Sequence, residues 1–151
     1  MRANTDDTNN PSPDGLHLVR TLRGHQNTIL RAVWMPLGRR IGSASLDNTV
    51  RIWDVQSEQE MHRLIGDRNG FSDIQFTRDG RFAFTTSWES PIIEVWDVVQ
   101  GGVLMRLDRH AGAVNAIRLT QDERHLISAS DDDTLKIWSI ETGTDLMTLR
   151  G

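Results

Sequence analysis

The sequence predicts an all-β protein of three similar units, each containing four short antiparallel strands. Trp53, Trp96 and Trp138 recur at intervals of 43 and 42 residues. A leucine follows each tryptophan by eleven residues, at Leu64, Leu107 and Leu149, and Leu22 lies 42 residues before the first of these. The leucines therefore divide the chain into units at 22–64, 65–107 and 108–149. A repeat of this length indicates one supersecondary element that stacks on its neighbours.

Each unit contains the elements of a four-stranded sheet in the same order. Apolar side chains recur seven, ten and twelve residues after the leucine: Ile29/Ala32/Trp34, Phe71/Ile74/Phe76 and Val114/Ile117/Leu119. The last two of each set are two residues apart, which is strand alternation. Turn residues at 36–39, 78–81 and 121–124 lead into a second strand that ends in Ser-Ala-Ser or Thr-Thr-Ser. The third strands read TVRIWDV, IIEVWDV and TLKIWSI, which are rich in β-branched residues, and a short fourth strand returns to the leucine.

The composition excludes several classes of protein. The 151 residues are 37% hydrophobic and 25% charged, as in an ordinary globular chain. The chain has no cysteine, so it has neither disulfides nor thiolate metal sites nor a cysteine nucleophile. A net charge of −4 disfavours a nucleic-acid binder, and no apolar run is long enough to cross a membrane. We expect neither a nucleic-acid nor a membrane partner, and a location in the cytoplasm or the nucleus.

Several motifs of the repeat resemble the signature of the WD-repeat family. They are the Gly24-His25 pair, the Ser-x-Ser strand, SLDNT at 45–49 and Trp53-Asp54. The period also fits that family, and the resemblance covers about residues 16–151. It implies a β-propeller, in which blades of four antiparallel strands stand in a ring. It also implies a protein-binding role, although one propeller fold serves many unrelated partners.

The resemblance further implies a buried chain of hydrogen bonds in each blade, linking Trp, Ser or Thr, His and Asp. In the first unit the matching residues are His25, Ser43 or Ser45, Asp47 and Trp53. In the third unit they are His110, Ser128 or Ser130, Asp132 and Trp138. The two serines of each pair point to the same face, so the sequence does not choose between them. An unpaired member would cost about 1–3 kcal/mol.

The second unit departs from this pattern. Asp67 replaces the histidine, Glu89 stands at the position of the aspartate, and an inserted residue with Pro91 alters the following turn. We expect this blade to be the least rigid and to be held by its aromatic packing: Phe71, Phe76, Phe82, Phe84 and Trp96.

In the WD-repeat family, the turn between the second and third strands lines a face that binds partners. The residues at that position are Leu46, Trp88 and Asp131. A partly exposed tryptophan is a frequent hot spot for binding, so Trp88 is a candidate contact. The alternative is that Trp88 folds inward and fills the space left by the missing histidine.

The resemblance, together with the lack of catalytic motifs, implies a non-catalytic scaffold for protein or peptide partners, without cofactor or metal. His25 and His110 have fixed places in the repeat, which favours a structural role over a catalytic or metal-binding one. Asp132 already belongs to the expected network, and Asp131 and Asp133 fit an exposed turn better than a cation site. Two alternatives remain: a regulatory or sensor propeller segment of a larger enzyme or signalling ATPase or kinase, and a propeller enzyme with a site in the central channel.

The two ends of the sequence predict an open arc of blades. Residues 1–15 are polar and are expected to form a disordered tail. Residues 16–22 match the last strand of a unit, but no tryptophan precedes them, so they read as an orphan outer strand. The third unit has its own outer strand, and propellers have about four to eight blades. We expect either further blades in a longer chain or self-association that closes the ring.

Overall fold

The computed structural model describes residues 19–36, 38–66 and 69–151. It confirms the predicted fold class, because these residues form three four-stranded antiparallel sheets and contain no helix. The first sheet consists of β1 (Ile29–Trp34), β2 (Arg40–Ser45), β3 (Thr49–Asp54) and β4 (Gln59–Ile65). The second consists of β5 (Phe71–Phe76), β6 (Phe82–Ser87), β7 (Ile93–Asp97) and β8 (Gly102–Leu107). The third consists of β9 (Val114–Leu119), β10 (His125–Ser130), β11 (Thr134–Ser139) and β12 (Asp145–Arg150).

Each sheet is a meander, in which neighbouring strands follow one another in the chain. The turn between the second and third strands contains a residue with positive φ: Asn48 (65°), Glu89 (55°) or Asp133 (62°). Asn and Asp adopt this backbone conformation more readily than other non-glycine residues, so Glu89 suits its turn least well. The ladder between the first two strands shifts register at the same place in all three sheets. Such bulges increase the twist of a sheet.

The apolar core lies between neighbouring sheets. Strand β5 packs against β1 and β2, and β9 packs against β5 and β6 in the same manner. One buried cluster joins β5 to the face of the first sheet: Phe71, Ile74 and Phe76 with Val50, Ile52 and Leu64. The other joins β9 to the face of the second sheet: Val114 and Ile117 with Phe84, Ile93, Val95 and Leu107. Gly42 leaves room for the Phe76 ring, which would overlap a Cβ at that position.

The described chain begins within the segment for which the sequence predicts an outer strand. The orphan strand expected at 16–22 is not found over residues 19–22, which are in no sheet. A strand needs a neighbour for its backbone hydrogen bonds, and this segment pairs with none of the described strands. A side-chain ion pair, between Arg20 Nη1 and Glu58 Oε1 at 2.7 Å, links it to the first sheet.

Some predictions fall on residues that the structure does not describe. They are the tail at 1–15, residues 16–18 of the expected strand, and Asp67. In the described part of the chain, no helix has the length and apolar character needed to cross a membrane.

Candidate functional site

The first sheet contains a chain of four side chains linked by hydrogen bonds. The Trp53 indole Nε1–H donates to Ser43 Oγ at 2.8 Å, and Ser43 Oγ lies 2.7 Å from His25 Nε2. The other ring nitrogen, His25 Nδ1, lies 2.8 Å from Asp47 Oδ2. An ionised carboxylate only accepts, so Nδ1 carries the proton and Nε2 accepts from the Ser43 hydroxyl. Each donor and each acceptor of this hydrogen-bonded network therefore has a partner.

The third sheet repeats this geometry. Trp138 Nε1–H donates to Ser128 Oγ at 2.8 Å, Ser128 Oγ lies 2.7 Å from His110 Nε2, and His110 Nδ1 lies 2.8 Å from Asp132 Oδ2. In both sheets the first serine of the Ser-x-Ser strand receives the indole N–H. The second serine, Ser130 here, instead donates to a backbone carbonyl at 2.9 Å. The structure thereby distinguishes the two serines that the sequence left open.

Among the described residues, the second sheet contains only the inner part of this network. Trp96 Nε1–H donates to Thr85 Oγ1 at 2.9 Å, so the indole still has its acceptor. The Phe71 ring meets Trp96 edge-on, with 5.9 Å between the ring centres. His25 lies 6.0 Å from Trp53 in a similar edge-on contact. The indole of the second sheet therefore also has an edge-on ring contact, which Phe71 provides.

Two threonines belong to these networks although the sequence pattern did not single them out. The Thr49 hydroxyl donates to Asp47 Oδ1 at 2.6 Å, and Thr134 donates to Asp132 Oδ1 at the same distance. Burial alone would raise the pKa of Asp47, but hydrogen bonds from the Thr49 hydroxyl, the Gln26 N–H and His25 outweigh it. They hold the pKa of Asp47 well below its usual range, and corresponding bonds lower the pKa of Asp132. The sequence motif that could have identified these threonines is Asp-x-Thr, which SLDNT and DDDT share.

The candidate contact residues lie at one end of the three sheets. The backbone N–H groups of Leu46, Trp88 and Asp131 each donate to a carbonyl in the segment that leads into the first strand of the same sheet, at 2.9–3.0 Å. We call this end the loop face; it comprises the turns at 46–48, 88–92 and 131–133 with those leading segments. The structure therefore brings the three residues to the same face.

Their surroundings on the loop face differ. The Trp88 side chain is 50% exposed, Leu46 is partly buried, and Asp131 is exposed and accepts a hydrogen bond from Asn115. Gly70, whose carbonyl holds Trp88, has a positive φ of 67° and lies so close to Leu46 that a Cβ would come within 2.5 Å of the Leu46 Cα. The first two sheets are thus in tight contact beneath Trp88.

A buried carboxylate that the sequence did not indicate links all three sheets. Asp73 in β5 places Oδ2 at 2.9 Å from Arg118 Nη1 in β9, and Oδ2 also accepts the Ile117 N–H at 3.1 Å. Its Oδ1 lies 3.1 Å from Arg31 Nε in β1. The angle of that last contact is outside the range of a hydrogen bond, so it is an ion pair only. The pairs hold the three first strands together, in addition to the apolar contacts.

Within residues 19–36, 38–66 and 69–151, no three His, Asp or Glu side chains converge in a manner that could hold a metal ion. Both ring nitrogens of His25 and of His110 are bonded within the networks.

Comparison with known families identifies the repeat. A family model described as "WD domain, G-beta repeat" matches residues 16–54 and 101–139, which together are just over half of the chain. The chain belongs to the WD-repeat family. Between the matched stretches lie residues 55–100, which contain most of the second WD repeat, including Glu89 at the aspartate position.

Similar proteins come from several eukaryotes. The chain is 27% identical over 129 residues to human Pre-mRNA-processing factor 17 and 31% identical over 129 residues to the Guanine nucleotide-binding protein subunit beta of Arabidopsis thaliana. It is 30% identical over 117 residues to Pre-mRNA-splicing factor cwf17 of Schizosaccharomyces pombe. These alignments cover 84%, 80% and 76% of this chain but only 22%, 34% and 34% of the relatives.

Solved structures show the same architecture. The structure of U3-55K and the crystal structure of the RRP9 WD40 repeats each match with a TM-score of 0.80 and 26% identity. The matches cover 87% of this chain and 42% and 41% of those chains. The three sheets are therefore blades of the WD-propeller type.

Proposed function

We propose that this chain is a non-catalytic protein-interaction scaffold that binds a protein or peptide partner through the loop face. Trp88 carries the proposal, because its side chain is half exposed while its backbone N–H is held in a hydrogen-bonded turn. Tryptophan is among the residues most enriched in binding hot spots, and a rigid aromatic side chain loses little entropy on contact. Its exposure favours this role over space filling, because a side chain that filled a space inside the blade would be buried.

The exposed carboxylates of the loop face favour a basic partner. Glu89, Asp131 and Asp133 are exposed in turns of the loop face. A guanidinium or ammonium group over the indole face gains a cation–π interaction of about 0.5–2 kcal/mol. The carboxylates of the loop face add long-range attraction for a cationic partner and speed its approach. The partner segment that fits this surface therefore presents arginine or lysine side chains.

The networks and the relatives support a role without catalysis. His25 and His110, the most obvious candidate bases, use both ring nitrogens inside the fold, so neither offers a free nitrogen to a substrate. One relative is named as a subunit, which is by definition part of an assembly, and two others are named for pre-mRNA processing or splicing. These names are consistent with WD blades that hold other macromolecules together.

A peptide-display selection against the purified chain tests the proposal. The recovered peptides should be enriched in arginine and lysine. The best binder should lose about thirtyfold in affinity for Trp88→Ala, as expected for a hot spot worth about 2 kcal/mol. Asp131→Asn should weaken the same binder by a smaller factor and make its affinity less sensitive to salt.

Trp34→Ala is the matched control, because Trp34 is also exposed but lies at the opposite end of β1 from the loop face. It should leave the affinity unchanged. Thermal unfolding of each variant separates the two roles of Trp88. If the peptides bind Trp88→Ala as they bind the unaltered chain, the loop face proposal is wrong. If Trp88→Ala unfolds, Trp88 has a structural role instead.

A further inference from the structure

The turn of the first sheet on the loop face holds a segment of the second sheet. Asn48 lies at the end of that turn and is partly buried. Its side-chain Oδ1 accepts the Gly70 N–H at 2.6 Å, and its backbone carbonyl accepts the Gly66 N–H at 3.0 Å. Gly66 and Gly70 belong to the segment that leads into β5 of the next sheet. One residue of the first blade thus binds this leading segment at two points.

The same leading segment holds the backbone of Trp88. The Gly70 carbonyl accepts the Trp88 N–H at 3.0 Å. Gly70 itself is buried and has a φ of 67°, a conformation that glycine adopts without strain. A Cβ on Gly70 would lie 2.5 Å from the Leu46 Cα, so the segment packs directly against the first blade. Two hydrogen bonds therefore lead from the Asn48 side chain, through Gly70, to Trp88.

The first and third blades tie their leading segments in a different way. In the first blade, Asp47 Oδ2 accepts the Gln26 N–H at 2.9 Å and also contacts His25, so turn and leading segment of one blade are joined by a carboxylate. The third blade repeats this arrangement. The second blade has Glu89 at the aspartate position, and the tie to its leading segment comes from Asn48 in the blade before it.

We propose that Asn48 is a positioning residue for Trp88, so that the first blade orients the contact residue of the second. The proposal rests on the proposed function, since Trp88 is the residue to which that function assigns the partner. The Asn48 amide binds Gly70 through its oxygen, because a backbone N–H only donates. Asparagine also suits this place in the turn, where φ is 65°. Loss of the amide should let the leading segment, and with it Trp88, open more often.

Substitution of Asn48 by glycine removes the amide and keeps a residue that accepts a positive φ. Its effect is measured by amide hydrogen exchange in the whole chain without a partner. The Trp88 N–H should exchange about fivefold faster in Asn48→Gly, as expected for the loss of one hydrogen bond. The acceptor of the Trp88 N–H is the Gly70 carbonyl, which the substitution leaves in place, so a faster rate reports transmission through Gly70. An unchanged rate at Trp88 together with a faster rate at Gly70 would overturn the proposal.

Two variants separate positioning from general stabilisation of the first blade. Asn48→Asp keeps an oxygen acceptor at the same place in the side chain and should restore slow exchange at Trp88. Glu58→Gly is the matched control, because Glu58 also has a positive φ, of 60°, in the turn at the opposite end of β3. It should leave exchange at Trp88 unchanged.

The amides of β3 report whether Asn48→Gly disturbs its own blade. Their exchange rates should stay the same, because the substituted side chain binds the next blade and not β3. Equal acceleration in β3 and at Trp88 would show that the substitution only destabilises the first blade, which contradicts the proposal. If Asn48→Gly does not fold, Asn48→Ser replaces it, since the serine hydroxyl is one bond shorter than the amide oxygen.

Affinity for the arginine-rich peptide selected on the loop face gives a second readout. Asn48→Gly changes no charge and should weaken the peptide about fivefold, because a less ordered contact residue has to be fixed on binding. Asn48→Asp should not weaken it. Equal affinity of Asn48→Gly and the unaltered chain for a peptide that needs Trp88 would overturn the proposal. If no peptide binds even the unaltered chain, the proposed function is wrong, and exchange at Trp88 still decides whether Asn48 positions it.

Discussion

Removal of the Ser43 hydroxyl tests the hydrogen-bonded chain of the first blade at its centre. Ser43 Oγ accepts from Trp53 Nε1 at 2.8 Å and lies 2.7 Å from His25 Nε2, in a position from which water is excluded. Ser43→Ala leaves an indole donor and an imidazole acceptor without partners. Each buried unpaired group costs about 1–3 kcal/mol, so the free energy of unfolding should fall by about 2–6 kcal/mol.

The second blade provides a comparison with a single such bond. Trp96 Nε1 donates to Thr85 Oγ1 at 2.9 Å, and no histidine continues this chain. Thr85→Val keeps the volume of the side chain and leaves one donor unpaired, so it should cost about 1–3 kcal/mol. Urea unfolding followed by circular dichroism and tryptophan fluorescence measures both values. Ser43→Ala should cost about twice as much as Thr85→Val.

Ser45→Ala is the matched control in the same strand. Ser45 is itself buried, but its hydroxyl donates at 3.2 Å to the carbonyl of Asn27, an exposed residue that water can reach, and it accepts the Asp47 N–H at 3.1 Å. Loss of these longer bonds should cost about 0.5–1.5 kcal/mol. If Ser43→Ala costs no more than Ser45→Ala, the buried chain does not stabilise the blade as we infer.

Three further outcomes follow from the structure. Folding lowers the pKa of Asp47 and Asp132 below the ordinary 3.8, so their stabilisation is present above about pH 4 and is lost as the pH falls further. The free energy of unfolding should be measured in urea from pH 5 to pH 2. It should decline less steeply with falling pH in the double variant Asp47→Asn/Asp132→Asn than in the unaltered chain. An equal slope in the two proteins would contradict this. Gly42→Ala should cost about 1–3 kcal/mol because its Cβ overlaps the Phe76 ring, and an unchanged thermal unfolding temperature would show that the ring moves freely. Amide hydrogen exchange should be faster in the turn at 88–92 than in the corresponding turns of the other blades, because no carboxylate–histidine pair ties it down; equal rates would mean that the missing network has no local effect.

The fold and the outline of the networks could be predicted because they are periodic. His25 and Asp47 recur as His110 and Asp132 at the same distance in the chain, and the third strands align around their tryptophans. Periodic positions in stacked units have the same surroundings, so one unit predicts the next. The second blade breaks the period at the histidine and aspartate positions, and among its described residues the network consists of the Trp96–Thr85 bond.

The remaining features depend on register and on contacts between blades. Ser43 and Ser45 point to the same face, and their different partners depend on the position of each along the strand. Asp73 binds Arg31 and Arg118, which occupy different positions in their respective repeats, so no periodic signal connects them. The strand expected at 16–22 required a neighbouring strand, which the described residues do not provide.

The nuclear magnetic resonance signals of the five indole N–H groups test the central claim most directly, namely that the loop face around Trp88 binds the partner. Trp53, Trp96 and Trp138 donate to hydroxyl groups inside their blades, whereas Trp34 and Trp88 are exposed at opposite ends of the sheets. The signal of each can be assigned by a Trp→Phe variant. On titration with an arginine-rich peptide, the Trp88 signal should move while the other four stay in place. A fixed Trp88 signal together with a shift at Trp34 or at a buried indole would contradict the claim.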